Sequence, residues 1–252
     1  MKLSLSLLSL AVVAGAPAAF AQGIDDFGAY GGVERRGLER SPQTAAFEIR
    51  VGPYTPNIDE KLDGTPYEDI FGTKQRWHGG FEVDWQLFRV PGVLSLGPGL
   101  GAHYTQATAR APLASGEGLS AQETTLTIIP LHLVGVLRVD ALADQLNVPF
   151  CPYAKLGFGY AFWWSKDGDK TAVDANGVQG KDTSYGLTYA LGIAGRLDWL
   201  DPDDAASADA GIGINHSSLF IEWYGSELGG FGSDKVMQVG TRTFVFGVML
   251  EI

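Results

Sequence analysis

His216 and Ser218 flank a single residue, with Glu222 downstream, and together they supply the base, hydroxyl and acid that nucleophilic hydrolysis needs. A His-x-Ser pair is weak catalytic geometry, and no set of oxyanion donors can be recognised beside it. Asn215, His216 and Ser217 read more simply as groups that hydrogen-bond the backbone at a turn. Asp167, Asp169, Asp174 and Asn176-Gly177 gather oxygen ligands of the kind calcium takes, without the twelve-residue spacing and closing glutamate of a calcium loop. A solvated acidic loop explains them. The same holds for Asp59, Glu60, Asp63, Glu68 and Asp69 against Lys61 and Lys74, although divalent cations bridging such loops to anionic lipopolysaccharide stay open. The close glycines of Gly97-Pro-Gly-Leu-Gly101 lie inside a strand pattern and lack the strand-to-helix setting of a nucleotide fingerprint, so a bend or clearance is expected there. Cys151 has no activating neighbour and reads as a small packing residue. No catalytic residue, cofactor or metal ligand is assigned, and no enzyme activity is expected.

Bulk composition narrows the classes. Lys and Arg number 18 against 29 Asp and Glu, a net charge of −11, which is the wrong sign for a nucleic-acid partner. A lone cysteine excludes an internal disulfide or a cysteine zinc cluster. The 34 glycines follow no three-residue period, so a collagen repeat is excluded. At the start, Lys2, the apolar run Leu3 to Val13 and Ala19-Phe20-Ala21 have the layout of a secretory signal peptide cut after Ala21. Gly15 and Pro17 break that run short of the ~20 residues a bilayer span needs, and Gln22 replaces the cysteine that a lipoprotein would acylate. Residues 1–21 are therefore expected to be a signal peptide, 22–44 an irregular entry segment, and 45–252 one β domain. Past residue 21 no apolar stretch is long enough for a helical span, so any membrane insertion must use strands.

Strict alternation supplies those strands. Ala154, Leu156, Phe158, Tyr160, Phe162 and Trp164 share one face, opposite Tyr153, Lys155, Gly157, Gly159, Ala161 and Trp163. Period two over this length gives a strand two environments, whereas a helix would smear the aromatics around its girth. Tyr185, Leu187, Tyr189, Leu191, Ile193 and Leu197 repeat the pattern against Ser184, Gly186, Thr188, Ala190, Gly192, Ala194 and Arg196. Weaker copies lie at Phe47 to Val51, Phe81 to Leu87, Leu94 to Thr105, Leu219 to Tyr224 and Phe244 to Ile252, and Thr124 to Val139 is apolar on both faces. That makes eight. Long connections follow the odd strands, roughly 53–75, 108–121, 165–183 and 226–240, and shorter ones follow strands two and four at 89–92 and 140–148, as in membrane barrels. The connection after strand six, with Asp201-Pro202-Asp203-Asp204 and an alanine-rich patch, is expected to be a long turn holding one helical turn.

Size decides which face points out. An eight-stranded barrel leaves an interior just wide enough for side chains, so the face bearing small residues belongs inside. That face also carries Glu48, Arg50, Glu82, Asp84, Lys155, Arg196 and Glu222, which become candidate lumen charges able to pair across the axis. The aromatics then meet lipid, with Trp77, Trp163, Trp164, Trp199 and Trp223 near strand ends as an interfacial girdle. Closure pairs every backbone group, which hydrocarbon demands. The expected fold is an all-β, antiparallel, up-and-down transmembrane β-barrel of about eight strands.

The terminal strand Thr243 to Ile252 resembles the end of small bacterial outer-membrane β-barrels, departing from them in its final Ile252 where that family usually carries an aromatic residue. Val148 to Tyr160, Leu197 to Pro202, and Gly213 to His216 leading into Phe220 to Trp223 resemble a largely uncharacterised family of such barrels. The resemblance spans roughly residues 45 to 252 and implies a porin-like barrel in the outer membrane of a Gram-negative bacterium, with no reaction or ligand to carry over. The implied partners are outer-membrane lipids, lipopolysaccharide, the outer-membrane assembly machinery and an unknown extracellular partner of the loops, with a monomeric chain and no nucleic acid. A structural or surface-interaction role with a side-chain-occluded lumen is expected. Three alternatives stay open: a narrow channel for small solutes; a lipid A-modifying hydrolase, since some eight-stranded outer-membrane enzymes that trim lipid A resemble this chain in placing a histidine and serine on the wall; and a soluble exported β protein.

Overall fold

The computed structural model describes residues 42–112, 118–173, 177–200 and 202–252. The expected signal peptide lies outside these residues, as does all but the end of the expected entry segment. Eight long strands are found among the described residues: β1 (Ala45–Tyr54), β2 (Arg76–Trp85), β3 (Leu94–Ala109), β4 (Thr124–Val139), β5 (Phe150–Asp167), β6 (Lys181–Arg196), β7 (His216–Glu227) and β8 (Thr241–Glu251). Each pairs antiparallel with its neighbour in sequence, and β1 pairs with β8 in the register Phe47↔Leu250 to Val51↔Phe246. The sheet is thereby a closed eight-stranded barrel without an open edge, which leaves no strand ladder to be satisfied by solvent.

Alternation sets the two faces as hydrophobic patterning requires. Along β5, Tyr153, Lys155, Gly159 and Ala161 are buried while Leu156, Phe158, Tyr160 and Phe162 are exposed on the outer wall. Strand β4, apolar on both faces in sequence, still alternates: Val134, Val136 and Arg138 turn inward and Leu133 and Leu137 outward. Its inner face is apolar toward the long-connection end because a plug packs there.

That plug comes from the connection after β1. It folds into a 3-10 turn (Asn57–Lys61) and a short helix, α1 (Pro66–Phe71). Pro66 suits the first helical turn, where its missing N–H costs nothing. The Asp59 carboxylate accepts the N–H groups of Tyr67 and Glu68 at 2.8 and 3.1 Å, and Gly72, at φ +70°, ends the helix in a conformation that side chains disfavour. The fold brings Ile58, Tyr67 and Phe71 against Tyr54, Ala107, Leu126, Ile128, Ala161, Leu228 and Val239, sealing the mouth with apolar contacts.

At the opposite end, the segment Phe88–Val90 continues the hairpin from β2 by pairing with β3, and α2 (Ala141–Leu146) joins β4 to β5. The connection after β6 corrects the expectation of a single helical turn: it holds α3 (Pro202–Ile212), an eleven-residue helix. Alanine-rich sequence opened by Pro202 favours a helix long enough for three turns.

Candidate functional site

The barrel interior is the place where charged side chains converge. Lys155, from β5, sets its Nζ 2.9 and 2.8 Å from the two Glu48 carboxylate oxygens and 2.6 Å from Glu82. Arg50 pairs with both Glu82 and Glu222. Arg138 reaches Asp84 at 3.2 Å, Glu251 at 3.4 Å and Glu48 at 3.5 Å. Tyr153 donates its hydroxyl to Glu222 at 3.0 Å, and His132 Nε2 lies 2.7 Å from Glu82. Six strands thus contribute to one network in which the carboxylates of Glu48, Glu82, Asp84, Glu222 and Glu251 meet the cations Arg50, Arg138 and Lys155. Burying such ions singly would cost several kcal/mol each, so they persist in a low-dielectric interior only as interlocked pairs.

Glycines on the same inner face make the room. A Cβ at Gly192 would lie 2.3 Å from Tyr153 Cζ, and one at Gly101 would lie 2.3 Å from His132 Nε2. Of the close glycines around Pro98, Gly99 and Gly101 give clearance to the inward Asp84 and His132 side chains, whereas Gly97 lies against the Trp85 backbone.

The wall outside has the opposite character. Phe158 and Leu191 are 65% and 59% exposed, whereas Glu82 and Lys155 are 1% and 4% exposed. Phe47, Ile49, Phe81, Leu100, Leu133, Leu156, Phe244 and Phe246 extend the apolar surface around the barrel. Soluble monomers rarely expose an apolar patch beyond a few hundred Å2. A surface apolar all round a charged axis is the arrangement a hydrocarbon solvent selects.

Six of the seven lumen-charge candidates, Glu48, Arg50, Glu82, Asp84, Lys155 and Glu222, come together in the network. Arg196 is buried but pairs with Asp140 at 3.2 Å and with Asp144 of α2, at the short-connection end. Burial, reinforced by the Glu251 charge, pushes the Asp140 carboxyl above its ordinary value despite Arg196. Sequence reasoning missed His132, Arg138 and Glu251. Arg138 and His132 lie in the strand whose apolar residues hid its alternation, and counting in twos from Val134 would have found both.

The hydrolytic set is not assembled. Glu222 is held by Arg50 and Tyr153, while His216 Nδ1 bonds Asp198 beyond the end of β6. Asp198 also accepts the Ser217 N–H at 3.2 Å. Cys151 is buried in the packing around Tyr153 and Phe220. At the end of β5, Asp167 accepts the Thr124 hydroxyl at 2.8 Å, and Asp174 and Asn176 lie outside the described residues. Trp77, Trp199 and Trp223 are exposed, whereas Trp163 turns inward and packs against the mouth cluster.

The chain is similar to the attachment invasion locus protein Ail of Yersinia pestis, solved in complex with the heparin analogue sucrose octasulfate, at 10% identity and a TM-score of 0.43. It is similar to Neisserial surface protein A at 12% identity and a TM-score of 0.42, and to the outer membrane protein OprG of Pseudomonas aeruginosa at 14% and 0.43. Each comparison covers 83% of this chain and 97% of the other. No family model and no curated protein matches the chain.

Proposed function

We propose that the chain is an outer-membrane β-barrel protein with a structural or surface-interaction role, whose lumen is occluded by its own side chains. The observation that carries this is the inverted polarity of the barrel: lipid-suited side chains on the wall, and paired charges at 1 to 4% exposure on the axis. Eight strands leave little bore, and here the plug of Ile58, Tyr67 and Phe71 closes one end while ion pairs and further buried side chains occupy the interior beyond it. Residues 1–21 direct export and are removed, residues 45–252 insert through the outer-membrane assembly machinery, and the monomeric barrel meets lipopolysaccharide with its outer loops. The loops after β1, β3, β5 and β7 are the surface left to meet an extracellular partner.

Planar-bilayer recording on purified barrel tests the occlusion. Silence at moderate voltage is expected, and steady single-channel openings would replace the occluded barrel with the small-solute channel. Membrane fractionation and heat-modifiable gel mobility test the location, since a soluble exported β protein would show neither membrane association nor a mobility shift. Lipid A mass profiles from cells with and without the chain are expected to coincide.

A further inference from the structure

At the short-connection end the barrel opens on a cleft of about 360 Å3, whose lining includes Gln43, Arg89, Pro91, Asp144 and His216. That volume is in the range of small-ligand sites. Strand pairing sets Arg89 there: in the register Arg89↔Ser95 it shares the inner side with the buried Ser95, while Phe88 and Val90 are exposed on the wall. Asp144 comes from α2, which is tied to the turn between β2 and β3. Gln145 Nε2 donates to the Gly92 carbonyl at 3.0 Å, and the Asp140 and Ala141 N–H groups donate to the Val93 carbonyl at 2.8 and 3.1 Å. One turn thus positions both a guanidinium and a carboxylate at the same cleft.

The neighbouring charges are matched. Arg196 donates to Asp140 at 3.2 Å and to Asp144 Oδ1 at 2.5 Å. Glu251 meets Arg138 at 3.4 Å and accepts the amides of Gln43 and Gln86 at 3.3 and 3.2 Å. Asp198 is answered by His216 and by the Ser217 N–H. Arg89 is the exception: it pairs with no carboxylate among the described residues, and its buried Nε lacks a hydrogen-bond partner. Its charge is felt at Asp140, which Arg196 already holds. Guanidinium groups form their strongest bonds as two parallel N–H donors to one carboxylate, and withholding that partner from a partly buried one is unfavourable. Asp144 is also incompletely used. Arg196 engages only Oδ1, and the side chain keeps 28% exposure, so the second oxygen can accept a further donor. The cleft therefore holds two opposite charges that are not closed on each other. Arg89, Arg138 and Arg196 equal Asp140, Asp144 and Glu251 in number, so the surroundings favour a ligand without net charge over a lone anion or cation.

We propose that this cleft binds a small zwitterion, a free amino acid or a short peptide with both ends free. Its carboxylate is held by the Arg89 guanidinium and its ammonium by the second Asp144 oxygen. Pro42 and Pro91 supply apolar walls for a small aliphatic side chain. The site opens on the side opposite the long loops, away from the apolar mouth.

The experiment titrates the folded barrel in an uncharged detergent at pH 7 with alanine, dialanine, acetate and methylammonium, and follows binding by saturation-transfer NMR. Saturable binding of alanine or dialanine is expected, and the tighter of the two tells a free amino acid from a peptide. Acetate and methylammonium, each with half of the recognised charge, should bind roughly tenfold more weakly or worse. Arg89→Gln and Asp144→Asn should each weaken zwitterion binding by roughly tenfold or more. Arg242→Gln, which removes a cation from the long-connection end, should leave it unchanged. Heat-modifiable mobility identifies folded samples. If Asp144→Asn does not fold because Arg196 loses its partner, Arg89→Gln is compared with Arg89→Lys, which should keep part of the binding through its charge. No saturable binding of either zwitterion, acetate or methylammonium matching alanine, or a folded Arg89→Gln that binds like wild type overturns the site. None of these results bears on conductance or membrane association, so this site and the occluded outer-membrane barrel stand or fall separately.

Discussion

At the mouth of the barrel, Ile58, Tyr67, Phe71, Leu228 and Val239 pack from the connections onto strand residues, whereas in the charged tier Glu48, Arg50, Glu82, Asp84, Arg138, Lys155 and Glu222 all come from strands. The difference is one of constraint. Apolar contacts at the mouth are non-directional and belong to segments that can move without unpairing the sheet. The ion pairs tie six strands at fixed heights, and a register slip by one residue would turn every charge toward the outer wall. One region closes the barrel, and the other specifies which barrel forms.

Arg50→Met is expected to make the largest change. It leaves Glu82 and Glu222 buried without their shared guanidinium, and breaking such a pair costs about 3–5 kcal/mol. Urea unfolding of the refolded barrel should show one cooperative transition shifted by that amount. Adding Glu222→Gln should recover part of the loss, since it removes one of the stranded charges. A single variant as stable as wild type would mean the tier does not act as a locked unit.

Leu228→Ala probes the mouth with a change of similar chemistry but different reach. Leu228 is fully buried in the mouth cluster, and a core leucine truncated to alanine costs about 3 kcal/mol. Because the cluster is built largely from connections, the loss should appear as faster proteolysis around residues 57–71, with the global urea transition moving less. Equal effects on both measurements would merge the two regions into one cooperative unit.

On the outer wall, Leu191→Arg should destabilise the lipid-embedded barrel by about 2 kcal/mol or more, as cations on a lipid face do. The neighbouring inward Ala190 position is already occupied by close packing, so the two faces of β6 answer to different solvents. If Leu191→Arg were neutral in bilayers, the lipid-facing assignment of the wall would fail.

How much of this could be read from sequence followed the strength of alternation. β5 and β6 carry aromatic or aliphatic residues at nearly every second position, so both faces were legible residue by residue. β4 was legible only as a strand, because Leu126 and Ile128 line the plug and make its inner face apolar too. The plug itself was invisible, since the acidic connection after β1 contributes just Ile58, Tyr67 and Phe71 to the mouth and their convergence depends on the Asp59 cap. Arg196 is buried, and its partners Asp140 and Asp144 come from a connection whose path no period predicts. The buried His78, His103 and His132 each face a glycine on the preceding strand, a pairing that appears only once strand register is known.

The smallest effect belongs to the short-connection end, where Asp198 ties the turn after β6 to the start of β7. Partial burial alone would raise its carboxyl, but the hydrogen bond and charge of His216, together with the Ser217 N–H, outweigh this and hold it below the ordinary value of 3.8. The folded chain therefore binds that proton less readily than the unfolded chain. The stabilisation is complete above the unfolded value near 3.8 and is lost as the pH falls through the lower folded value. Asp198→Asn should cost about 1 kcal/mol at pH 6, the scale of one partly solvated charge-assisted bond. Wild type and variant should converge in urea midpoint once the pH has fallen below the lowered folded value, where the carboxylate is protonated in both states. A gap that stayed constant into acid would show that the asparagine disturbs packing at the turn, and that the carboxylate charge is not what holds β7 to β6.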